Sequence, residues 1–323
     1  MTPVFVSLVR YADLPSTLDP GASWGDLRFL VPELGDAIHG QELYDLPTLD
    51  RLTNAHSGSH NWGRSTMPLT LGSVHGYLKR EVSTYRKNRL AAYVLAGRYT
   101  TKCVQEFVVL RWLRAHRVNC PRPLALWTRR RGSQIQAALF LEALRGYRPL
   151  TTYLEQAAID GRLSPPWTAQ LMDSLAQFAV RLHNALVHNP DLFAWHVFVR
   201  SVELPKPEDF AVIDLQRALI LAWRPCCVRR ARDLAALLAT ISDSLIDRRQ
   251  RQRFLERYME LARPRDPWRP LFPRVLRRRI AHWRARSKVR RALAQQEEVL
   301  ARAAIPPTGL PSNNPAAGTE VRT

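Results

Sequence analysis

Asp191, His196 and Asp214 follow one another at a spacing that suits chemistry on phosphate groups. Asp191 lies in a turn after a long predicted helix, and His196 follows five residues later at the start of a predicted strand. A second predicted strand ends at Asp214. Phosphoryl transfer from ATP needs a carboxylate at the acceptor hydroxyl and further carboxylates or amides that hold magnesium. The order therefore predicts a base at Asp191, with His196 and Asp214 binding the metal, around one cleft.

Asp233, in the sequence Arg-Arg-Ala-Arg-Asp-Leu-Ala-Ala-Leu, lies where a kinase-like lobe buries an aspartate that braces the catalytic turn. Each residue alone has a simpler interpretation. Asp191 can cap a turn, His196 can be a buried core histidine, and Asp233 can be a charge at a helix N-terminus. The occurrence of all these residues in this order favours the joint catalytic interpretation.

The elements that must hold these residues are predicted from periodicity and breaker residues. Residues 75–82 alternate like a strand, and residues 103–118 have apolar side chains at helical spacing. Two strands then precede a long helix at 165–187, and strands at 196–200 and 210–215 follow before a helical region. This order predicts an α+β, two-lobed protein-kinase-like fold, with a small β-rich N-lobe and a larger helical C-lobe.

The chain is predicted to divide into five parts. These are an irregular N-terminal extension (1–60), the N-lobe (61–145), the C-lobe (146–262), an Arg-rich helical segment (263–302) and a disordered tail (303–323). The extension is assigned from its Asp, Pro and Gly content and its lack of periodicity, and the tail from its polar, proline-containing composition. Residues 86–100 are predicted to form a basic connecting helix.

The net charge is the unusual feature of the composition. The 323 residues include 48 basic and 28 acidic residues, which give a net charge of +20, and 43 of the 48 cations are arginine. A field of this sign implies a polyanionic partner, which is nucleic acid, an acidic membrane face or a phosphorylated substrate. A hydrophobic content of 46% excludes a disordered or fibrous chain.

The same sequence indicates a cytoplasmic location. No apolar run approaches the ~18 residues that span a bilayer. Arg10 and Asp13 interrupt the stretch in which a secretory signal needs an apolar core. The four cysteines lack metal-ligand spacing, which indicates thiols in a reducing compartment.

The stretch from Asp191 to Ala218 resembles the lipopolysaccharide core kinases, the family of the heptose kinases and the Kdo kinases. Members typically read His-Arg-Asp, four residues, His and a strand, followed after a short turn by Val-Ile-Asp-Leu-His-Arg-Ala. The matching residues here are Asp191, His196 and the run Val212-Ile213-Asp214-Leu215-Gln216-Arg217-Ala218. The resemblance covers roughly residues 74–262.

The resemblance also implies which residues bind ATP. The family has a helix of the form Glu-aromatic-x-x-Leu, which Glu106 fits, and its glutamate is expected to pair with a strand lysine, for which Lys79 is the best candidate. Glu142 would fall in the hinge between the lobes, beside the adenine. Two simpler interpretations remain open: Glu106 pairs with Arg111 or Arg114 on an exposed helix face, and Lys79 is a solvated strand edge.

What the resemblance implies about function is an ATP- and Mg²⁺-dependent kinase. Its acceptor would be a sugar hydroxyl, on heptose or Kdo, of the lipopolysaccharide inner core, an anionic glycolipid presented at the cytoplasmic membrane face. The Arg-rich segment, with Trp268 and Trp283 among its cations, is expected to contact that face. Peripheral association with the inner face of the inner membrane is therefore a second expectation about location.

Two departures from the family pattern leave alternatives open. Asn189-Pro190-Asp191 replaces His-Arg-Asp, unless His188 takes the place of the histidine with one inserted residue, and Gln216 stands where histidine is usual. A second hypothesis is therefore a pseudokinase that scaffolds core assembly. A third is a basic nucleic-acid-binding protein, but no recognisable RNA-binding module accompanies the arginines, so nucleic acid is not an expected partner.

Overall fold

The computed structural model of the chain describes residues 26–54, 64–84, 101–131, 134–221, 226–262 and 269–304. Within these ranges the strands are β1 (Leu27–Leu30), β2 (Arg64–Leu71), β3 (Val74–Thr84), β4 (Pro123–Arg131), β5 (Gln134–Glu142), β6 (Tyr147–Pro149), β7 (Val187–His188), β8 (Val197–Arg200), β9 (Phe210–Val212) and β10 (Leu219–Ile220). The α-helices are α1 (Gly35–Gly40), α2 (Leu46–Asn54), α3 (Lys102–Ala115), α4 (Leu150–Ile159), α5 (Pro165–Asn184), α6 (Cys227–Ala239), α7 (Arg248–Ala262), α8 (Phe272–Arg284) and α9 (Ser287–Ala304).

An antiparallel sheet in the order β1-β4-β5-β3-β2 forms the first half of the molecule, and α3 lies against it. The predicted strand at 75–82 and helix at 103–118 are confirmed as β3 and α3. The start of α3 is fixed twice. The hydroxyl of Thr101 accepts the N–H of Val104 at 3.2 Å, and the Glu81 carboxylate on β3 accepts the N–H groups of Lys102 and Cys103. These contacts satisfy N–H groups that have no partner inside the helix, and they tie α3 to the strand that carries Lys79.

The interpretation of residues 1–60 as irregular is wrong for residues 27–54, which form β1, α1 and α2. β1 pairs with β4, and the buried Trp127 of β4 donates its indole N–H to the Leu43 carbonyl at 2.8 Å. Most of the leucines and the one isoleucine of this segment are buried, among them Leu27, Leu34, Ile38, Leu43 and Leu49. They lie in short elements separated by Asp, Pro and Gly, so any helical or strand period extends over only a few residues of the sequence.

The second half of the molecule is mostly helical. The long helix α5 begins with two prolines, whose fixed φ suits the first turn, and it packs on α7, while α6 packs on α8. Two small sheets complete this half, one in the order β6-β8-β9 and one pairing β7 with β10. Together they hold the turn that carries Asp191, because that turn lies between β7 and β8, and they place the end of β9 beside it.

The Arg-rich segment 263–302 is helical where it is described, as α8 and most of α9. Phe272, Leu276 and Val289 are buried against the rest of the protein, and buried Gln296 accepts the N–H of Ser242 at 2.9 Å. The segment is therefore an integral part of the fold, with its arginines on the outer side. The predicted basic helix at 86–100 and almost all of the predicted disordered tail lie outside the described residues.

Candidate active site

Lys79 and Glu106 form a buried ion pair between β3 and α3. The Lys79 Nζ donates to Glu106 Oε1 at 2.7 Å and to Oε2 at 2.9 Å, and the glutamate side chain is 1% exposed. Burial raises the pKa of Glu106 above its ordinary value, although the Lys79 ammonium opposes that shift. The structure therefore joins the two residues, and the alternatives in which Glu106 pairs with Arg111 or Arg114 and Lys79 is a solvated edge are wrong.

Asp214 lies beside the ion pair of Lys79 and Glu106, just beyond the end of β9. Its φ of +54° is in the left-handed region, where non-glycine residues are uncommon. This conformation accompanies an Oδ1 that lies 3.6 Å from Lys79 Nζ, while the next residue, Leu215, donates its N–H to Glu106 Oε1 at 3.2 Å. One carboxylate, Glu106, thus connects the lysine strand with the segment that carries Asp214.

His196 connects Asp214 with the turn that carries Asp191. Its Nδ1 lies 3.0 Å from the Asp191 carbonyl oxygen, which can only accept, so the ring proton is on Nδ1. Its Nε2 lies 3.5 Å from Asp214 Oδ2. Burial lowers the pKa of His196, and the positive charge of Lys288 acts in the same direction, so the ring is neutral at pH 7.

The facing groups of His196 and Asp214 fit a bound cation. In the tautomer assigned above, the Nε2 lone pair and a carboxylate oxygen point toward one another, and a cation between them would relieve that repulsion. Asp214 supplies the oxygen ligand that Mg²⁺ prefers, and imidazole nitrogen is a weaker ligand for that ion. Among the described residues no cluster of three or more His, Cys, Asp or Glu side chains is present. A metal here would therefore complete its coordination with water and phosphate oxygens, as Mg²⁺ commonly does.

Asp191 is held from two sides. Its N–H donates to the side-chain oxygen of Asn189 at 3.2 Å, so the turn is capped by Asn189 and not by Asp191 as in the simpler interpretation. Its carboxylate is not used in that cap. Instead, the Nη1 group of Arg217 donates to both carboxylate oxygens of Asp191, at 2.9 and 3.2 Å.

Asp233 is fully buried directly behind this turn. Its Oδ2 accepts the N–H of Asn189 at 2.9 Å and lies 3.2 Å from His183 Nε2, while His188 Nδ1 lies 2.7 Å from Oδ1. Burial raises the pKa of Asp233, but the adjacent His183 and His188 outweigh burial, so the pKa is lowered overall. These contacts place Asp233 where the sequence predicts a brace, and they show that both His188 and Asn189 contact it.

The His183 ring extends this buried network. Its Nδ1 accepts the hydroxyl of Tyr258 at 2.7 Å, so Nε2 carries the proton that it donates to Asp233. Arg230 in turn lies 3.4 Å from the Tyr258 hydroxyl. Burial lowers the pKa of His183, which keeps the ring neutral.

Glu142 is the last residue of β5 and is exposed. Its N–H donates to the Arg122 carbonyl at 2.9 Å, and it pairs with Gly76 of β3 across the sheet. The segment that follows leads directly into β6 and α4 of the second half. Glu142 therefore lies at the connection between the two halves of the molecule, and its contact with adenine stays a prediction.

Several contributing residues were given no role from the sequence. Arg217 lies in the run that resembles the family motif, but its partner Asp191 is 26 positions away in the sequence. His183, Tyr258 and Arg230 are on three different helices. His183, four residues after Ala179 on the apolar face of a predicted helix, was the one available signal, since a buried polar ring needs partners.

Known proteins resemble the chain over the region that holds this site. A model described as "Lipopolysaccharide kinase (Kdo/WaaP) family" matches residues 58–258. The 3-deoxy-D-manno-octulosonic acid kinase of Xanthomonas oryzae pv. oryzae (strain PXO99A) is 27% identical over 181 residues, which cover 52% of this chain and 69% of that protein. The enzyme of the same name from Photobacterium profundum is 31% identical over 119 residues, 37% of this chain and 47% of that protein.

Among solved structures, WaaP in complex with acyl carrier protein superposes with a TM-score of 0.53 and 20% identity, covering 86% of this chain and 99% of that chain. A likeness at this identity concerns the fold, and it confirms the two-lobed protein-kinase-like α+β fold predicted from the sequence. The family match extends over the ion pair, the Asp191 turn and Asp214 alike. The chain therefore belongs to the lipopolysaccharide kinase (Kdo/WaaP) family and is a kinase, as the sequence predicts.

Proposed function

We propose that this kinase transfers the γ-phosphate of ATP to a hydroxyl of a heptose or Kdo sugar in the lipopolysaccharide inner core. The observation that carries the proposal is the ion pair of Lys79 with Glu106, with Asp214 3.6 Å from the same ammonium. In protein kinases a strand lysine paired with a helix glutamate holds the nucleotide phosphates, and an aspartate beside them holds magnesium.

Each residue of the site has a role in this proposal. Lys79 contacts the nucleotide phosphates, and Glu106 orients Lys79. Asp214 and His196 would hold Mg²⁺, which neutralises charge on the transferring phosphate when it is bound. Glu142 lies beside the adenine, at the connection between the halves.

Asp191 positions the acceptor hydroxyl and accepts its proton. The carboxylate suits this role because its orientation is fixed by Arg217, while the backbone of the turn is fixed by Asn189 and Asp233. A general base must be held within hydrogen-bonding reach of the proton that it removes, and these contacts pre-organise Asp191 for that purpose.

The acceptor is proposed to be a sugar of an anionic glycolipid at the membrane face. The net charge of +20 and the exposed arginines of α8, namely Arg274, Arg277 and Arg278, favour such a surface. Among the described residues no helix is long and apolar enough to cross a bilayer. Because the proposed attraction is between arginines and an anionic surface, association would be peripheral and would weaken as salt is raised.

The direct test is transfer of labelled γ-phosphate from Mg-ATP to purified, dephosphorylated inner-core lipopolysaccharide. We expect incorporation with the wild-type protein and its loss in Asp191→Ala. Asp173→Ala is the matched control, because Asp173 pairs with Arg253 on the surface of α5 and has no contact with the site. Thermal melting of each variant shows whether it is folded.

The outcomes separate the hypotheses. Incorporation that Asp191→Ala abolishes and Asp173→Ala retains supports the proposal. Full incorporation with Asp191→Ala contradicts the role of Asp191. A wild-type protein that transfers nothing, and whose melting temperature Mg-ATP does not raise, contradicts the proposed reaction and favours the scaffold hypothesis, since a ligand of the folded state must raise that temperature.

A further inference from the structure

The C-terminal helices contact the catalytic turn through three aromatic rings, Phe193, Trp195 and Trp283, which we call the aromatic cluster. Phe193 and Trp195 lie just beyond Asp191 and stack at a centroid distance of 4.8 Å. Trp283 of α8 meets Phe193 edge-on at 4.9 Å. Contacts of this kind add to the stability gained by apolar burial, so α8 is fixed against the turn.

This packing delivers Lys288, the second residue of α9, to the same place. Its Nζ lies 5.3 Å from the centroid of the Trp195 ring, within the range of a cation–π contact. The Trp195 ring lies 6.0 Å from that of His196, whose Nδ1 bonds the Asp191 carbonyl. Lys288 is therefore linked to the turn of the proposed base through two successive side chains.

Lys288 has no carboxylate partner among the residues that the structure describes, although acidic side chains pair with other cations of the same helices. Arg284, four residues earlier, is paired with Asp243. Lys288 itself is exposed, whereas the Trp195 indole N–H is buried and has no hydrogen-bond partner in the described part of the protein. An exposed cation without a carboxylate partner thus lies beside the catalytic turn, and it suits an oxyanion.

We propose that Lys288 is a specificity-determining residue, which binds an anionic substituent, carboxylate or phosphate, of the acceptor sugar beside Asp191. The inference rests on the proposed function, since it assigns a contact to the acceptor of that reaction. Lys288 lies outside residues 58–258, the part matched by the family model. The C-terminal helices would therefore complete the acceptor site of this chain.

The experiment measures KM for deacylated inner-core oligosaccharide in three forms, with ATP saturating. One form is dephosphorylated and keeps its carboxylates, one has its carboxyl groups reduced and keeps its phosphates, and one lacks both anions. Lys288→Ala and Lys288→Gln remove the charge, and Lys288→Arg keeps it. Arg290→Ala is the matched control, because it removes one exposed cation from the same helix about 200° around the axis.

We expect loss of the charge to raise KM for the anionic form that the site recognises about tenfold, the ratio that ~1.4 kcal/mol produces. The kcat, the KM for ATP and the KM for the form without anions should stay unchanged, and Lys288→Arg and Arg290→Ala should resemble the wild type. The anionic form whose KM rises identifies the substituent as carboxylate or phosphate.

Three outcomes would overturn the inference. The first is an equal effect of Lys288→Ala and Arg290→Ala, which would indicate general surface charge. The second is a rise in the KM for ATP instead of the acceptor, and the third is transfer with unaltered KM for every form. Each of these leaves the proposed function intact, whereas a wild-type protein that phosphorylates none of the three forms contradicts the proposed function and this inference with it.

Discussion

Arg217 donates one guanidinium nitrogen to both carboxylate oxygens of Asp191, and it does so from the segment that carries Asp214. The arginine lies three residues after Asp214 and is 60% exposed, whereas Asp191 is 16% exposed. The pair therefore links the proposed base to the proposed metal ligand by a short stretch of backbone. An exposed arginine contributes little to stability, so the value of this contact lies in the orientation of the carboxylate.

Arg217→Ala is expected to lower kcat roughly ten- to a hundredfold, since misplacement of a catalytic group by about 1 Å has an effect of this size. The free energy of unfolding should change by less than ~1 kcal/mol, because the pair is exposed on the arginine side. Steady-state kinetics and urea denaturation measure the two quantities, and Lys in place of Arg217 should recover part of kcat. A variant with normal kcat would show that Asp191 needs no positioning by this residue.

The ion pair of Lys79 and Glu106 makes a second prediction, on stability. Lys79→Met leaves a buried carboxylate with the Leu215 N–H as its remaining hydrogen-bond donor, and breaking a buried pair in this way costs about 3–5 kcal/mol. The double variant Lys79→Met/Glu106→Gln removes both charges and keeps an acceptor for Leu215. It should therefore be more stable than Lys79→Met alone, although neither variant should transfer phosphate.

Urea denaturation of the wild type, Lys79→Met, Glu106→Gln and the double variant gives the coupling energy between the two side chains directly. We expect a coupling of at least ~1 kcal/mol in favour of the pair. Additive effects of the two substitutions would contradict the ion pair as a determinant of stability, whatever their effects on activity.

The parts of the fold that the sequence predicts well are those with strong local periodicity. β3 alternates, and α3 has apolar residues at helical spacing, so both were located within a few residues. Asp191, Asp214 and Asp233 were identifiable from their order along the chain, since a lone carboxylate carries no signature of its role. Glu106 and Lys79 required the family resemblance as well, and Lys79 then stood out because the chain has five lysines and this one lies in a predicted strand.

Other features depend on contacts between distant residues, which local patterns do not encode. Residues 27–54 bury their leucines in short elements, and no window of the sequence shows the sheet on which they pack. Arg217 is one of 43 arginines, and its pairing with Asp191 depends on where β9 and its following segment lie. Lys288 has the same limitation, because the packing of Trp283 on Phe193 brings its helix to the site.

Gly76 provides a prediction at the connection between the two halves. It lies opposite Glu142 in the sheet, and a Cβ atom there would overlap the Leu141 carbonyl oxygen and lie 2.7 Å from the Phe140 ring. Gly76→Ala is expected to destabilise the protein by ~1–3 kcal/mol, as overpacking does. Gly35→Ala is the control, because a Cβ at Gly35 would contact nothing within 4 Å and its φ of −50° is helical.

Thermal or urea denaturation should show that Gly76→Ala lowers the free energy of unfolding and that Gly35→Ala raises it. Gly35→Ala should stabilise by about 0.4–1 kcal/mol through the unfolded chain. If Gly76→Ala left the free energy of unfolding unchanged, the backbones of β3 and β5 would be able to separate beside Glu142 without loss of stability.

The buried network behind the catalytic turn predicts how stability depends on pH. Burial lowers the pKa of His183 in the folded protein below the ~6.5 of the unfolded chain. Between these two values the unfolded state binds a proton that the folded state does not, so stability is lost as the pH falls below about 6.5. This one residue should contribute a loss of up to ~1.4 kcal/mol per pH unit in that window.

His183→Gln isolates this contribution, because an amide can donate to Asp233 and accept from Tyr258 without titrating. Urea denaturation of both proteins at pH 7.5, 6.5 and 5.5 should show a wild-type free energy of unfolding that falls more steeply on acidification than that of the variant. Subtracting the variant's slope of unfolding free energy against pH from that of the wild type cancels the contributions of the other titrating groups. Equal slopes would mean that His183 keeps its ordinary affinity for protons inside the fold, and that the network which braces Asn189 is not held by a neutral ring.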